Sequence, residues 1–326
     1  MHTLVTGGTG FIGSHIVRTL IDAGHSVRVL HRQSSKLDAL EGLTYESAIG
    51  GLDDLDALKR ACEGVDWVFH VAAVADYWRA DKSLMFEANV EGTRRVLQAS
   101  REMGVQRVVF TSSAAAIGIR DGGLLADENT AFNLHPDQFA YGYSKVLAEG
   151  VVREAVENGQ DLVTLNPSVV MGPGDLNMIS GTFIAQIKKM GVLVPVTSGG
   201  IGVTDVRDVA RWHLAAAEKG RTGERYILNT ANYSYLEWYG MIAGAVGVRK
   251  PFLRVPDFTA TLSAKLIALA RRVGIPTPID ATQAQMGARK VYFDGRKAHA
   301  ELGAPQIDMR QSIADTYGWY HDHGYV

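Results

Sequence analysis

The chain opens with a strand, a glycine loop and a helix packed into its first twenty-odd residues. His2-Thr3-Leu4-Val5-Thr6 is an apolar run of buried-strand length, and Gly7-Gly8-Thr9-Gly10-Phe11-Ile12-Gly13 follows at once. Phe11, Ile12, His15, Ile16, Leu20 and Ile21 then recur at helical spacing as far as Gly24. Gly7 permits a tight turn, Gly10 lets the backbone approach a pyrophosphate, and Gly13 lets helix and strand pack closely. The free N–H groups of the loop and first turn, from Thr9 through Phe11 and Ile12, then face phosphate at the positive end of the helix dipole. A glycine triplet alone says little. Between a strand and a helix it predicts a dinucleotide site.

The 326 residues can bury a large core, and a hydrophobic fraction of 46% excludes a disordered chain. A formal charge of -2 gives no reason to expect nucleic acid or an anionic membrane as partner. The single cysteine, Cys62, has no partner for an internal disulfide and reads as a small core residue. No run reaches the roughly 18 apolar residues of a spanning helix; the best candidate, 258–273, is broken by Lys265, Arg271 and Arg272. With a core strand starting at residue 2, no signal peptide is expected, and the chain reads as cytoplasmic. No metal-ligating cluster stands out.

Strand-like and helix-like segments alternate over 1–166. Strands are predicted at 26–30, 44–48, 67–71, 107–111 and 162–165, with helices at 55–62, 82–103 and 138–157. Such alternation gives an α/β fold, a doubly wound parallel sheet of Rossmann type covered on both faces. The remainder, 167–326, reads as a smaller, mostly helical substrate-binding part that crosses back to the sheet. Helices are predicted near 179–190, 206–219, 235–246, 257–273, 279–288 and 308–323, with short strands near 193–196 and 225–228. A ligand between the two parts would sit in a usual place for a small-molecule site.

In the NAD-binding form of this fold an acid after the second strand binds the ribose hydroxyls. Here the stretch is His31-Arg32-Gln33-Ser34-Ser35-Lys36, with no acid before Asp38. Arg32 and Lys36 offer positive charge where a 2′-phosphate would sit, so NADP(H) is the expected cofactor, with NAD(H) as the alternative.

Tyr141 and Lys145 stand four residues apart, on one face of a helix, so phenol and ammonium can enter one pocket. A free phenol titrates near pH ~10, and a neighbouring ammonium lowers that value into a usable range. The strand at 107–110 runs into Thr111-Ser112-Ser113-Ala114, beyond the carboxyl end of the sheet where ligands bind. Ser113 can then bond a substrate oxygen while Tyr141 moves its proton, and Lys145 can also hold the nicotinamide ribose. Val71-Ala72-Ala73 ends the fourth strand with small residues that let the dinucleotide lie close. Asn166-Pro167-Ser168 ends the sixth, where a nicotinamide amide needs backbone and hydroxyl partners. Asp76, Tyr77, Trp78, Ala114, Val170 and Met171 are candidate substrate contacts; Tyr77 and Trp78 suit either ring stacking or packing between the two parts.

Taken together, Thr6 to Gly13, His70-Val-Ala-Ala73, Asn89-Val-Glu-Gly-Thr93, Phe110 to Ala114, Tyr141-Gly-Tyr-Ser-Lys145, Asn166-Pro167 and Gly172-Pro-Gly-Asp175 stand in the order of the extended short-chain dehydrogenase/reductase family. The chain resembles that family over nearly its whole length, and within it the dihydroflavonol 4-reductase branch and the bacterial sugar-epimerase-like proteins. The resemblance implies Ser113, Tyr141 and Lys145 as catalytic triad, Gly7, Gly10 and Gly13 on the pyrophosphate and Arg32 on a 2′-phosphate. It also implies a homodimer through helices near 82–104 and 138–158. Departures are informative. The family's Asp-Leu pair after the third strand, with the acid on adenine, is Gly51-Leu52 here, so that contact is missing or moved to Asp53, with Leu52 still a candidate cofactor contact. Flavonoid reductases carry asparagine where Gly118 stands, and sugar 4,6-dehydratases carry an acidic pair where this chain has Ala114-Ala115-Ala116. Carbonyl reduction or its reverse on a small, fairly apolar molecule is the leading expectation. A nucleotide-sugar epimerase with retained NAD(P) and a non-catalytic dinucleotide sensor are the alternatives.

Overall fold

The computed structural model describes residues 1–75, 81–178, 180–256 and 286–326. In chain order these form β1 (His2–Thr6), α1 (Phe11–Asp22), β2 (Ser26–His31), β3 (Glu46–Ile49), α2 (Leu55–Cys62), β4 (Trp67–His70), α3 (Lys82–Phe86), a π-helical turn (Glu87–Glu91), α4 (Gly92–Glu102), β5 (Arg107–Thr111), α5 (Ala140–Glu157), β6 (Leu162–Pro167), β7 (Val169–Met171), α6 (Gly181–Met190), β8 (Gly200–Asp205), α7 (Val206–Lys219), β9 (Arg225–Leu228), β10 (Ala231–Ser234), α8 (Tyr235–Ala245), β11 (Lys290–Val291), α9 (Arg296–Glu301) and α10 (Met309–Asp322). Predicted helices at 257–273 and most of 279–288 lie outside the described residues, as do Asp76, Tyr77 and Trp78.

Seven parallel strands make the main sheet, in the order β3-β2-β1-β4-β5-β6-β9. The order reverses beside β1, so the chain leaves the carboxyl ends of the paired strands β1 and β4 toward opposite faces, which opens the crevice where such sheets take ligands. The strands are apolar on both sides because both faces are covered. Val5, Val29, Phe69, Val109 and Leu165 pack under α1 and α7, with Ile16, Leu20, Val209 and Trp212. Leu4, Leu30, Val68, Val108 and Phe110 pack under α2, α4 and α5, with Leu58, Val96, Leu97 and Val152. Local signals agree with this arrangement: Asp54 caps α2 by accepting from the Ala57 N–H at 2.9 Å, and Ser234 with Glu237 closes a capping box on α8.

The helices predicted over 179–190, 206–219, 235–246 and 308–323 are present, and the later part adds a sheet that its sequence does not announce. A second sheet centres on β8, with β10 antiparallel on one edge and β11 and β7 parallel on the other. Its core joins Met171, Ile184, Ile187, Val203, Trp238, Ile242, Ile313 and Tyr320. The strand predicted at 193–196 is instead a single bridge from Val196 to Arg254, since Pro195 has no N–H to extend a ladder. The helix predicted over 82–103 is broken by the π-helical turn at Glu87–Glu91, which carries Asn89.

Candidate active site

At the mouth of β1 the backbone is tightly constrained. Gly7 has φ +73°, and a Cβ there would lie 2.7 Å from the Ala72 backbone; one on Gly13 would lie within about 3 Å of the Gly7 carbonyl. The glycines thus seat the start of α1 against β1 and bring residues 71–73 alongside the loop. No side chain caps α1 at Gly10, so its first-turn N–H groups remain for an anion. These residues fit a dinucleotide pyrophosphate. Phe11 lies edge-on to His15, whose Nε2 donates to the Pro173 carbonyl at 2.9 Å and ties the loop after β7 to α1.

Arg32 follows β2 directly and, like Lys36, is exposed and has no acidic partner among the described residues. The Ser35 hydroxyl accepts from the Arg32 N–H at 3.2 Å and shapes that turn. Leu52, after β3, packs against Gly92, while Asp53 is exposed beside it.

Behind Thr6 runs a buried polar chain whose protons can be placed. Thr93 donates to the Asn89 carbonyl (2.7 Å), so it accepts from Nε2 of His70 (3.0 Å). His70 Nδ1 then accepts from the Thr6 hydroxyl at 2.8 Å, and Thr6 in turn accepts from the N–H groups of Val71 and Ala72. Burial and the neighbouring Lys145 push His70 down to about 3, so the imidazole is neutral. The Asn89 amide meets both the Val74 backbone and, at 3.0 Å, the hydroxyl of Ser144, which itself donates to the Tyr141 carbonyl. The wide π turn is what carries Asn89 between loop 74 and α5.

At the ends of β5 and β6 stand the predicted catalytic residues. Tyr141 and Lys145 are 6% and 2% exposed on the same face of α5. Lys145 Nζ donates to the Thr111 carbonyl at 2.9 Å and lies 5.2 Å from the Phe110 ring centre. Burial lowers its pKa to about 8, opposed by the charge of Glu149. Helix α5 meets the turn after β5 closely: a Cβ on Gly142 would be 2.5 Å from the Ala115 carbonyl oxygen. Ser113 Oγ accepts from the Ala115 N–H at 3.1 Å, and its own proton has no acceptor among the described residues. The Thr111 hydroxyl lies 2.8 Å from His213 Nε2; His213 Nδ1 donates to the Val209 carbonyl, so Thr111 is the donor. Burial pushes His213 down to about 4.

Other expected contacts are distributed differently. The Ser168 hydroxyl donates to the Leu228 carbonyl at 3.1 Å, leaving only its lone pairs for a ligand, and Pro167 pairs with Leu228. Met171 is wholly buried in the second core and Ala114 in a small cluster with Ile117, Ala126, Ile227 and Phe293, whereas Val170 borders the main core. Gly118 has the Ala131 carbonyl oxygen against it, leaving no room for an asparagine side chain.

The sequence places His70, Asn89, Thr93, Ser144 and Asn166 in motifs without revealing these contacts, and it singles out neither Glu149 nor His213. Glu149 lies four residues beyond Lys145, a spacing that marks it as a neighbour on the same face. Nothing local points to His213, which is 102 residues from Thr111.

A family model described as "NAD dependent epimerase/dehydratase family" matches residues 3–229. The chain belongs to this family. It is 37% identical to a putative dihydroflavonol 4-reductase of Synechocystis sp., over 99% of this chain and 95% of that one. It is 32% identical to sterol demethylase protein B of Methylococcus capsulatus, over the full length of both. The crystal structure of gox2253 superposes with a TM-score of 0.88 at 35% identity, covering 99% of each chain. The family fold and the extended short-chain dehydrogenase/reductase resemblance therefore stand, and the chain is an enzyme of the family. Among the described residues no helix is long and apolar enough to cross a membrane.

Proposed function

We propose that this family member is an NADP(H)-dependent oxidoreductase that reduces a carbonyl, or oxidises the matching alcohol, of a small and fairly apolar molecule. One observation carries the reading: Tyr141 and the buried Lys145 share one face of α5 at the carboxyl end of β5, and on the adjoining turn the Ser113 hydroxyl proton has no acceptor among the described residues. When bound, a nicotinamide dinucleotide supplies or accepts the hydride. Gly7 to Gly13 would hold its pyrophosphate and Arg32 a 2′-phosphate. Ser113 donates to the substrate oxygen and polarises it, and Tyr141 passes that oxygen its proton. The Lys145 ammonium stabilises the phenolate left behind. The names of the dihydroflavonol and sterol relatives favour an apolar ring substrate over a nucleotide-sugar.

The epimerase reading draws on the family's own name. A screen of ketones, aldehydes and nucleotide-sugars separates the two. Stoichiometric NADPH oxidation by a ketone or aldehyde supports the reductase, whereas a copurifying cofactor that cycles without net consumption defeats it. Within the same reading the chain pairs with a second copy through α3, α4 and α5, which expose Leu84 (65%) and Leu147 (36%). Light scattering on wild type and Leu84→Glu tests that: a dimer that the variant turns into a monomer is expected.

A further inference from the structure

We infer that Glu149 is a positioning residue of this site: its buried carboxylate ties the carboxyl ends of β5 and β6 to the first residue of β9 behind Ser113 and supplies the counter-charge for Lys145. The catalytic half of this inference rests on the oxidoreductase reading above; the structural half does not.

Glu149 is 4% exposed, in the body of α5, one helical turn beyond Lys145. Three donors converge on it, two from the carboxyl ends of β5 and β6 and one from the first residue of β9. The Ser112 hydroxyl donates to Oε1 at 2.5 Å, Asn166 Nδ2 donates to the same oxygen at 2.7 Å, and Arg225 Nη1 donates to Oε2 at 2.9 Å. Asn166 is thereby fixed in orientation. Its other N–H goes to the Ser113 carbonyl at 3.0 Å, both acceptors require the NH₂ end, and its buried Oδ1 is left without a partner among the described residues. A carboxylate would not normally be retained in such a place for stability alone, because burying it is costly. Here it sets the backbone on both sides of Ser113, through Ser112 and through Asn166. That backbone aims the Ser113 hydroxyl, whose proton has no acceptor among the described residues.

The charge has a second effect. Around Lys145 stand Tyr141 and Glu149 on its own helix, neutral His70 from β4, and neutral His213 from α7 behind Thr111; the Arg225 guanidinium from β9 lies across Glu149. Glu149 is the group that opposes burial in keeping Lys145 protonated. Removing its charge leaves burial unopposed, with the Arg225 guanidinium still in place.

The test uses Glu149→Gln and Glu149→Asp in the full chain with NADPH and a turned-over carbonyl. For Glu149→Gln we expect kcat at pH 7 to fall roughly 10-fold or more, NADPH KM to stay within about twofold, and the alkaline limb of the kcat profile to move down by about one pH unit. Lys145, followed by NMR of ε-¹³C-lysine protein and assigned with Lys145→Met, is expected to titrate lower by the same amount. Glu149→Asp keeps the charge but retracts it, so its limb and titration stay at the wild-type position while kcat falls about fivefold or more. A folded Glu149→Gln whose limb or Lys145 titration is unshifted overturns the inference, as does a Glu149→Asp with wild-type kcat, which decides the matter if Gln prevents folding. If no carbonyl is turned over, the oxidoreductase reading fails, and the Lys145 titration alone then supports or sinks the role of Glu149.

Discussion

The Lys145 ammonium is anchored to the carbonyl oxygen of Thr111 at 2.9 Å, so a helix side chain is held by the last residue of the strand that leads to Ser113. Its pKa is lowered to about 8 by burial, so it is charged at neutral pH and loses its proton as pH rises through that value. A neutral amine cannot stabilise a phenolate at Tyr141. We expect kcat in the reductive direction to be flat below about pH 7 and to fall above about pH 8, approaching a tenfold loss per unit. A profile still rising at pH 9.5 would refute the role given to Lys145.

Replacing Tyr141 by phenylalanine removes the proton donor and leaves the ring that fills its buried position. Turnover is expected to fall by roughly 10²- to 10⁴-fold, the range of general acid catalysis, while cofactor affinity, read by NADPH fluorescence, changes less than about twofold. Turnover within tenfold of wild type would place the proton elsewhere.

Arg32 has no acidic partner among the described residues and directly follows β2, beside the glycine loop. Arg32→Asp puts an acid where a ribose diol would accept it and a 2′-phosphate would not. The ratio of kcat/KM for NADPH over NADH is expected to drop at least 10-fold. An unchanged ratio would show that the charge at position 32 does not read the 2′ position.

The first five strands and their helices were legible because each is a local pattern: an apolar run, a glycine or aspartate boundary, then a 3.6-residue stripe. Leu55–Cys62 and Arg107–Thr111 begin and end where the pattern places them. What escaped is non-local. Strand β8 reads poorly because Gly200 and Gly202 interrupt it, yet both are required: a Cβ on either would lie about 2.6 Å from the Tyr233 carbonyl or the Asn229 side chain. The π turn at Glu87–Glu91 has the same hydrophobic spacing as a plain helix; its shape comes from what Asn89 must reach. The positions of Tyr141, Lys145 and Ser113 are legible from spacing and strand ends, whereas buried partners in the surrounding polar network, His70, Asn166 and His213, lie on other strands and helices and become neighbours only on folding.

Two of those partners make stability depend on acid. His70 and His213 are buried and neutral, with pKa values pushed down to about 3 and about 4 from the 6.5 of an unfolded chain. Below pH 6.5 the unfolded state binds protons that the folded state refuses, so stability falls with falling pH, and continues to fall until the folded-state values are reached. Each group contributes a slope approaching about 1.4 kcal/mol per pH unit once its unfolded form is mostly protonated. Between pH 6 and pH 5 the carboxylates are still ionised, so this window isolates the histidines; His15, lowered mainly by burial, adds in the same direction. Urea unfolding of wild type at pH 7, 6 and 5 is therefore expected to show a steep loss over the last unit. His213→Gln, which can still accept from Thr111, should start less stable at pH 7 yet lose about 1.2 kcal/mol less between pH 6 and pH 5. Parallel losses in the two proteins would mean that His213 is protonated in the folded state, and the proton order assigned from Val209 through Thr111 would be wrong.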